Sequence, residues 1–367
     1  MGEPFKETLF SPKLVGELAD HIKTVYTTFD QNLFIERVFG PSWPQLELME
    51  RMRHITLILR DMLPPDYRQA LDILTRTAGL YHEQAFLTLV FDDYVSMFGL
   101  DDWEASLPAL ALFTGLCSAE FAVRPFIVKD QARMLAQMLV WANSDNPQHR
   151  RLASEGSRTR LPWGISLPAL KKDPRPLLPI LEKLKNDPEE MVRRSVANNL
   201  NDITKDNPQT VIDLLTRWKA EGIPSFSEIA NRALRSMIKK GDPAALNLVG
   251  IQHGSAVTVA NLKVEPESIP MGGEVSFSFD LVSTGEETQK LVVDYVLYMQ
   301  RANNKQTAKV FKCCKKEISA GQTLTISRRH SFAEVTTRRY YPGRHAIEIQ
   351  INGVAGGRVE FEVTAGG

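Results

Sequence analysis

A helical-repeat solenoid followed by a β-sandwich is the fold this sequence predicts, on three observations. Apolar residues recur with a helical period from the start to about residue 250, and past Ala256 the period changes to two. Proline-opened helical segments of similar length also follow one another in pairs. The 367 residues suffice for two ordinary domains, and 43% hydrophobic with 24% charged residues is a globular composition.

In the first part, Leu48, Met52, Ile55, Leu59 and Met62 recur at three- and four-residue steps, as do Val211, Leu214, Leu215 and Trp218. Asp187-Pro188 and Asn207-Pro208 each set an N-cap side chain before a proline at the first helical position. DPEEMVRRSVANNLNDITKD with NPQTVIDLLTRWKA is similar to a HEAT repeat, a helix pair that stacks on its neighbours. Looser copies fall at residues 65–116 and 125–155, the latter on Met134, Leu135, Met138, Leu139 and then NPQHRRLASEG. Residues 1–251 are therefore expected to be a curved HEAT-like domain.

In the second part, Val275, Phe277, Phe279 and Leu281 alternate with polar residues, followed by Val293, Tyr295 and Leu297. Ile347, Ile349, Ile351 and then Val359, Phe361, Val363 do the same, and Gly272-Gly273, Pro342-Gly343, Asn352-Gly353 and Gly356-Gly357 read as turns. About seven short strands in residues 252–367 predict an immunoglobulin-like β-sandwich without a cysteine pair between its sheets. The fold class is thus multidomain, α then β.

Charge is unevenly spread. Residues 1–110 hold 17 acids and 9 bases, and residues 301–344 hold 11 bases and 2 acids. The basic stretches KQTAKVFKCCKKE, SRRHSF and TTRRYYPGR have aromatic neighbours, which suits either a solvated strand face or a phosphate-binding surface. Three cysteines, two of them adjacent, do not make a disulfide framework. No Cys/His spacing suits a metal and no glycine pattern suits a nucleotide, so neither is expected as a cofactor. The start lacks a signal-peptide pattern and no apolar run is long enough to span a membrane, so a cytoplasmic protein is expected.

The stretch RRLASEGSRTRLPWG, residues 150–164, raises the question of chemistry. If the helix capped by Asn146 ends at Gly156 in the C′ position, Glu155 faces the negative end of the helix dipole, at a cost of about 0.3–1 kcal/mol. Arg151, Arg158 and Arg160 surround it, as a surface salt-bridge cluster or as an anion-binding groove that holds one carboxylate. Glu120 stands one turn before Arg124 and pairs with it on the simplest reading. Asp202 shares a helix face with Arg194 and Asn198, a pattern that also ties repeats together. Trp163 is either a packing tryptophan or an indole face offered to a cation. Carboxylates on successive repeats converge on one surface, where phosphates are attracted and a developing sugar cation is stabilised.

TGLCSAEFAVRPFI, HRRLASEGSRTRLPWG and VRRSVANNLNDITKDNP resemble the AlkC branch of the AlkC/AlkD bacterial alkylpurine DNA glycosylases, over residues 10–250. The C-terminal part, with YPGRHAIEIQINGV, resembles the immunoglobulin-like domain of one AlkC subgroup. The resemblance implies hydrolysis of the N-glycosidic bond of small cationic bases, chiefly 3-methyladenine. It places the catalytic set on Glu120, Glu155, Asp202 and Trp163. Charge and spacing assign Arg151, Arg158, Arg160 and Arg194 to phosphates, with Arg151 also steadying Glu155. The partner implied is double-stranded DNA with alkylated bases, bound by a monomer at the nucleoid. No lysine in the motifs is placed for a Schiff base, so a monofunctional enzyme that works without full base flipping is expected, with the sandwich as a DNA clamp. A non-catalytic HEAT scaffold and a damage sensor that binds without cutting are the rival readings.

Overall fold

The computed structural model describes residues 5–83, 85–303, 305–335 and 338–365. The opening MGEP and the two threonines of TTRRYYPGR lie outside the described residues. Helices occupy the chain up to Leu248 and strands follow from Val257, on either side of residue 252. The compact units divide earlier, into 1–208 with 223–225 and 209–222 with 226–367. No described helix is long and apolar enough to cross a membrane.

The first unit is built of helical repeats. Leu48–Met62 buries Met52, Ile55 and Leu59 as its period requires, and Glu47 and Glu50 form a capping box at its start. Gln131–Ala142 packs on Pro147–Glu155 as one helix pair, and Leu178–Leu184 packs on Glu190–Ile203 as the next. The second helices of these two pairs also touch. Glu190–Ile203 thus pairs with the helix before it within the first unit, whereas residues 209–222 of the expected partner helix group with the second unit. Glu190–Ile203 begins two residues later than expected, with Glu189 at the N-cap position, and the Asp187 carboxylate accepts from Glu189 N at 3.0 Å as well as from Arg150, at 2.6 Å and 3.1 Å.

The second unit holds eight described strands: β1 (Val257–Glu265), β2 (Ser268–Pro270), β3 (Glu274–Ser283), β4 (Gln289–Gln300), β5 (Gln306–Ile318), β6 (Thr323–Ser331), β7 (Gly343–Ile351) and β8 (Val354–Thr364). They form a three-stranded sheet in the order β1-β3-β6 and a five-stranded sheet in the order β2-β8-β7-β4-β5. All pairs are antiparallel except β2 with β8. The alternating residues of β3, β4 and β7 meet in one core around Phe277, Phe279, Tyr295 and Ile349.

β4 departs from alternation: Val292, Asp294 and Val296 are buried as well as Val293, Tyr295 and Leu297. The preceding helices of the same unit account for it, because Lys239 lies within electrostatic reach of Asp294 and Asn231 accepts a hydrogen bond from Lys315 at 2.7 Å. Asn352 and Gly353 make the β7–β8 turn with φ of 49° and 81°, the pairing a two-residue hairpin favours. Gly353 could not be larger, since a Cβ there would lie 2.0 Å from the Cα of Gly241. Gly356-Gly357, expected as a turn, instead lies within β8. There the register with β7 shifts and a Cβ on Gly356 would meet Val259 at 2.5 Å, so the glycines serve a bulge and a close approach.

Candidate active site

Asn146 caps the helix Pro147–Glu155 by accepting from Gln148 N at 2.9 Å, and Glu155 is its last residue. Gly156 follows in right-handed conformation, with φ −65°, so the expected left-handed C′ glycine is absent. Packing requires this glycine instead: a Cβ would come within 2.5 Å of Val123 and 3.2 Å of Met138. The chain therefore turns tightly against neighbouring helices and brings Arg158 back over Glu155.

Arg158 is the hub. Its Nη1 donates to Glu155 Oε1 at 2.5 Å and its Nε to Asp202 Oδ2 at 2.8 Å, while Lys205 Nζ donates to Asp202 Oδ1 at 3.1 Å. Glu155, Arg158 and Asp202 are only 6%, 8% and 1% exposed. This is a buried charge cluster rather than the surface salt bridge that spacing allowed. Burial pulls the Arg158 pKa down, but the hydrogen bond and charge of Asp202 and those of Glu155 outweigh it and raise the value. Arg158 therefore stays a cation, and it faces the acids rather than a phosphate.

The helix Glu190–Ile203 supplies a ladder along one face. Asn199 Nδ2 donates to Ser154 O at 2.8 Å, and Asp202, three residues on, takes Arg158. Asp206, four further, accepts both Nε and Nη2 of Arg160, at 2.8 Å and 2.6 Å. The Arg160 hydrogen bond holds the Asp206 carboxyl below its usual range. Arg194, on the same helix, pairs with Glu190 and stays half exposed.

Glu120 lies in the turn before the helix Val123–Lys129. It does not hydrogen bond Arg124. Its Oε2 accepts from Arg151 Nη2 at 2.9 Å and Ser118 Oγ at 2.6 Å, and Arg151 Nη1 also donates to Ser118 at 2.7 Å. Arg151 thus steadies Glu120, not Glu155 as the sequence suggested, because its side chain leaves the helix toward the preceding repeat.

Arg124 has a role that sequence reasoning missed. It is fully buried, donates Nη1 to the carbonyls of Gly156 and Arg158 at 3.0 Å and 2.7 Å, and donates Nε to Ile165 O at 2.6 Å. One guanidinium thereby holds both ends of segment 156–165. Burial is the main reason its pKa is lowered to about 10, with the Arg158 charge adding to it and Asp202 and Glu120 opposing. Glu120, Asp202 and Arg158 are thus all within electrostatic reach of one side chain. The only hint in the sequence was an arginine inside the apolar run FAVRPFIV.

Trp163, in this segment, is 72% exposed and has φ of 63°. It is not a packing tryptophan. A left-handed conformation is uncommon for a bulky residue. The next residue, Gly164, leaves room for Arg124 and Leu161, since a Cβ there would lie 3.1 Å from Arg124 Cδ and from Leu161 Cδ2.

In the second unit the basic stretches fall on β5, β6 and the segment before β7. Arg301, Lys309, Arg338 and Arg339 line a cavity of about 1030 Å³ together with Tyr340 and Tyr341. Lys312, Lys315, Lys316 and Arg344 are exposed nearby in the sequence.

Two family models match the chain. Residues 117–237 match the DNA alkylation repair enzyme family, and residues 258–365 match the C-terminal Ig-like domain described for YhaZ. The chain is 40% identical to the YhaZ protein of Bacillus subtilis over 355 residues, 97% of this chain and 98% of the relative. Among solved structures, it is similar to the alkylpurine DNA glycosylase AlkC of Pseudomonas fluorescens, bound to DNA containing an abasic site analog. That match has 39% identity and a TM-score of 0.94, and covers 99% of this chain and 100% of the other. On these matches the chain belongs to the AlkC/AlkD family of DNA alkylation repair enzymes, in the AlkC-type group that carries a C-terminal immunoglobulin-like domain.

Proposed function

We propose that this protein is a monofunctional DNA glycosylase that hydrolyses the N-glycosidic bond of small cationic alkylated bases, chiefly 3-methyladenine, in double-stranded DNA. One observation carries the reading: Arg158 holds two buried carboxylates from successive repeats, and the segment clamped by Arg124 that carries Arg158 also carries the exposed Trp163. An N3-methylated adenine is already a cation and leaves as a neutral base, so protonation of the leaving group is not required. What remains is to stabilise the oxocarbenium-like sugar and to deliver water.

The hydrogen bonds divide those tasks. Asp202 has both oxygens engaged, by Arg158 and Lys205, and serves to position Arg158. Glu155 uses Oε1 and Glu120 uses Oε2, each with its second oxygen unengaged by the described residues. Those two oxygens face the sugar cation and orient the attacking water. Arg158 makes the arrangement tolerable, because buried charges without a partner are costly. Trp163 lays its indole against the cationic base or sugar. Arg160 and Arg194, the more exposed arginines, take phosphates when their surface carboxylate partners are displaced.

The site lies among helices and Trp163 is offered outward, which suits a base approached within a bent duplex better than one extruded into a pocket. The basic face of residues 252–367 is a second DNA-binding surface. Release of 3-methyladenine from alkylated DNA by wild type, Glu155→Gln and Glu120→Gln tests the proposal. Activity in the wild type with loss in both variants supports it, whereas DNA binding without product in the wild type favours a damage sensor. A target-site 2-aminopurine signal equal to that of a base-flipping enzyme contradicts the non-flipping part.

A further inference from the structure

Strand β5 carries adjacent cysteines, Cys313 and Cys314, and neither is in a disulfide. In a regular strand neighbours point to opposite faces. Here the register slips: Val293 is opposite Cys314 and Asp294 opposite Lys312, which leaves Cys313 as the extra residue of a bulge. Cys313 joins the sandwich core and Cys314 packs against the same core while half-buried. The bulge therefore turns both side chains toward the same core, side by side on the strand. Arg328 of β6 lies alongside, donating Nη2 and Nε to the Cys313 carbonyl at 3.3 Å and 3.4 Å.

We propose that Cys313 and Cys314 form a dithiol site that chelates a soft, thiophilic ion, with trivalent arsenic as the ligand class. A direct disulfide between neighbours is strained, because it must bring the sulfurs to about 2.05 Å. A bridging atom relaxes that demand, because it bonds each sulfur separately and lets the two stay well beyond disulfide distance. Soft sulfur ligands select such ions, and thiolate is the binding form. Cys314 supplies the thiolate. The adjoining Cys313 pulls its pKa below the usual thiol range against the effect of burial, aided by the charges of Arg328 and Lys316. Cys313 is held up as the protonated partner until the ion displaces its proton.

Phenylarsine oxide is the probe. Its As=O bond and two S–H bonds break, two As–S bonds form, and one water leaves, with no change of oxidation state. The expected result with the full chain is one arsenical bound per chain, released by a dithiol but not by a monothiol. Cys313→Ser and Cys314→Ser each weaken binding at least about tenfold, because a single thiol loses the second, intramolecular bond. Cys117→Ser binds as wild type, since Cys117 is a lone, half-buried thiol whose surroundings push it up to about 12. Wild-type binding no tighter than Cys314→Ser, or binding lost in Cys117→Ser, overturns the proposal. Where a serine variant fails to fold, peptide mapping of wild type decides. Arsenical protection of the Cys313–Cys314 peptide from iodoacetamide supports the site, and equal labelling with and without the arsenical overturns it.

Discussion

Glu155 ends a helix where the dipole disfavours it, and Arg158 resolves the conflict by returning over it at 2.5 Å. Each residue of the set has a distinct expected loss. Glu155→Gln and Glu120→Gln keep shape and remove charge, so 3-methyladenine release falls roughly a hundred- to a thousandfold in single-turnover assays. Asp202→Asn also breaks a buried ion pair and therefore costs about 3–5 kcal/mol of stability, measurable by denaturant unfolding. Trp163→Ala changes stability by no more than about 0.5 kcal/mol, because the side chain is exposed, yet lowers excision. A large stability loss in Trp163→Ala, or none in Asp202→Asn, contradicts these placements.

At the scale of elements, segment 156–165 depends on Arg124. Arg124→Met leaves the carbonyls of Gly156, Arg158 and Ile165 without their donor, a cost of about 3 kcal/mol or more that denaturant unfolding measures. This clamp was not legible in the sequence, because its partners are backbone oxygens 32–41 residues away. The Arg150–Asp187 pair hid because its partners are 37 residues apart, and it adds an ion pair to a carboxylate that also accepts from Glu189 N. Local signals read true: the Asn146 cap, the period of Leu48–Met62 and the Asn352-Gly353 turn rest on neighbours in sequence. The glycines misled. Gly156 and Gly356 answer to side chains of other elements, which a one-dimensional pattern does not contain.

In the sandwich, two buried groups oppose each other with pH. His330 accepts or donates between Tyr295 and Tyr340 at 2.8 Å and 3.0 Å, and burial, with the charge of Arg338, lowers its pKa to about 4. A depressed folded value means that its contribution is present above about 6.5 and lost as pH falls toward 4. Burial raises Asp294 to about 6 despite Lys239 and Lys312. A raised folded value means that its contribution is present below about 3.9 and lost as pH rises through 6. The two slopes offset in wild type. Asp294→Asn removes one, so its melting temperature relative to wild type should drop as pH goes from 6.5 to 4, and parallel curves for the two proteins contradict the assignment.

For the whole molecule, formal neutrality conceals the acidic first third and the basic sandwich face. Net charge therefore gave no warning of a polyanion partner, whereas the distribution did. Replacing Lys309, Arg339 and Arg344 by Gln should lower DNA affinity and reduce the salt slope, by about 0.9 for each phosphate no longer neutralised. An unchanged slope would remove residues 252–367 from the DNA interface. The HEAT-like and sandwich classes were both legible from periodicity. The phase of the repeats and the grouping of the last helices with the sandwich were not, because packing partners decide them.

The most direct test of the central claim is the single-turnover rate of 3-methyladenine release by wild type, Glu155→Gln and Glu120→Gln, each shown to be folded and to bind DNA. A measurable wild-type rate with at least about a hundredfold loss in both variants is the predicted result. Equal rates in all three, or no release by the wild type, would contradict it.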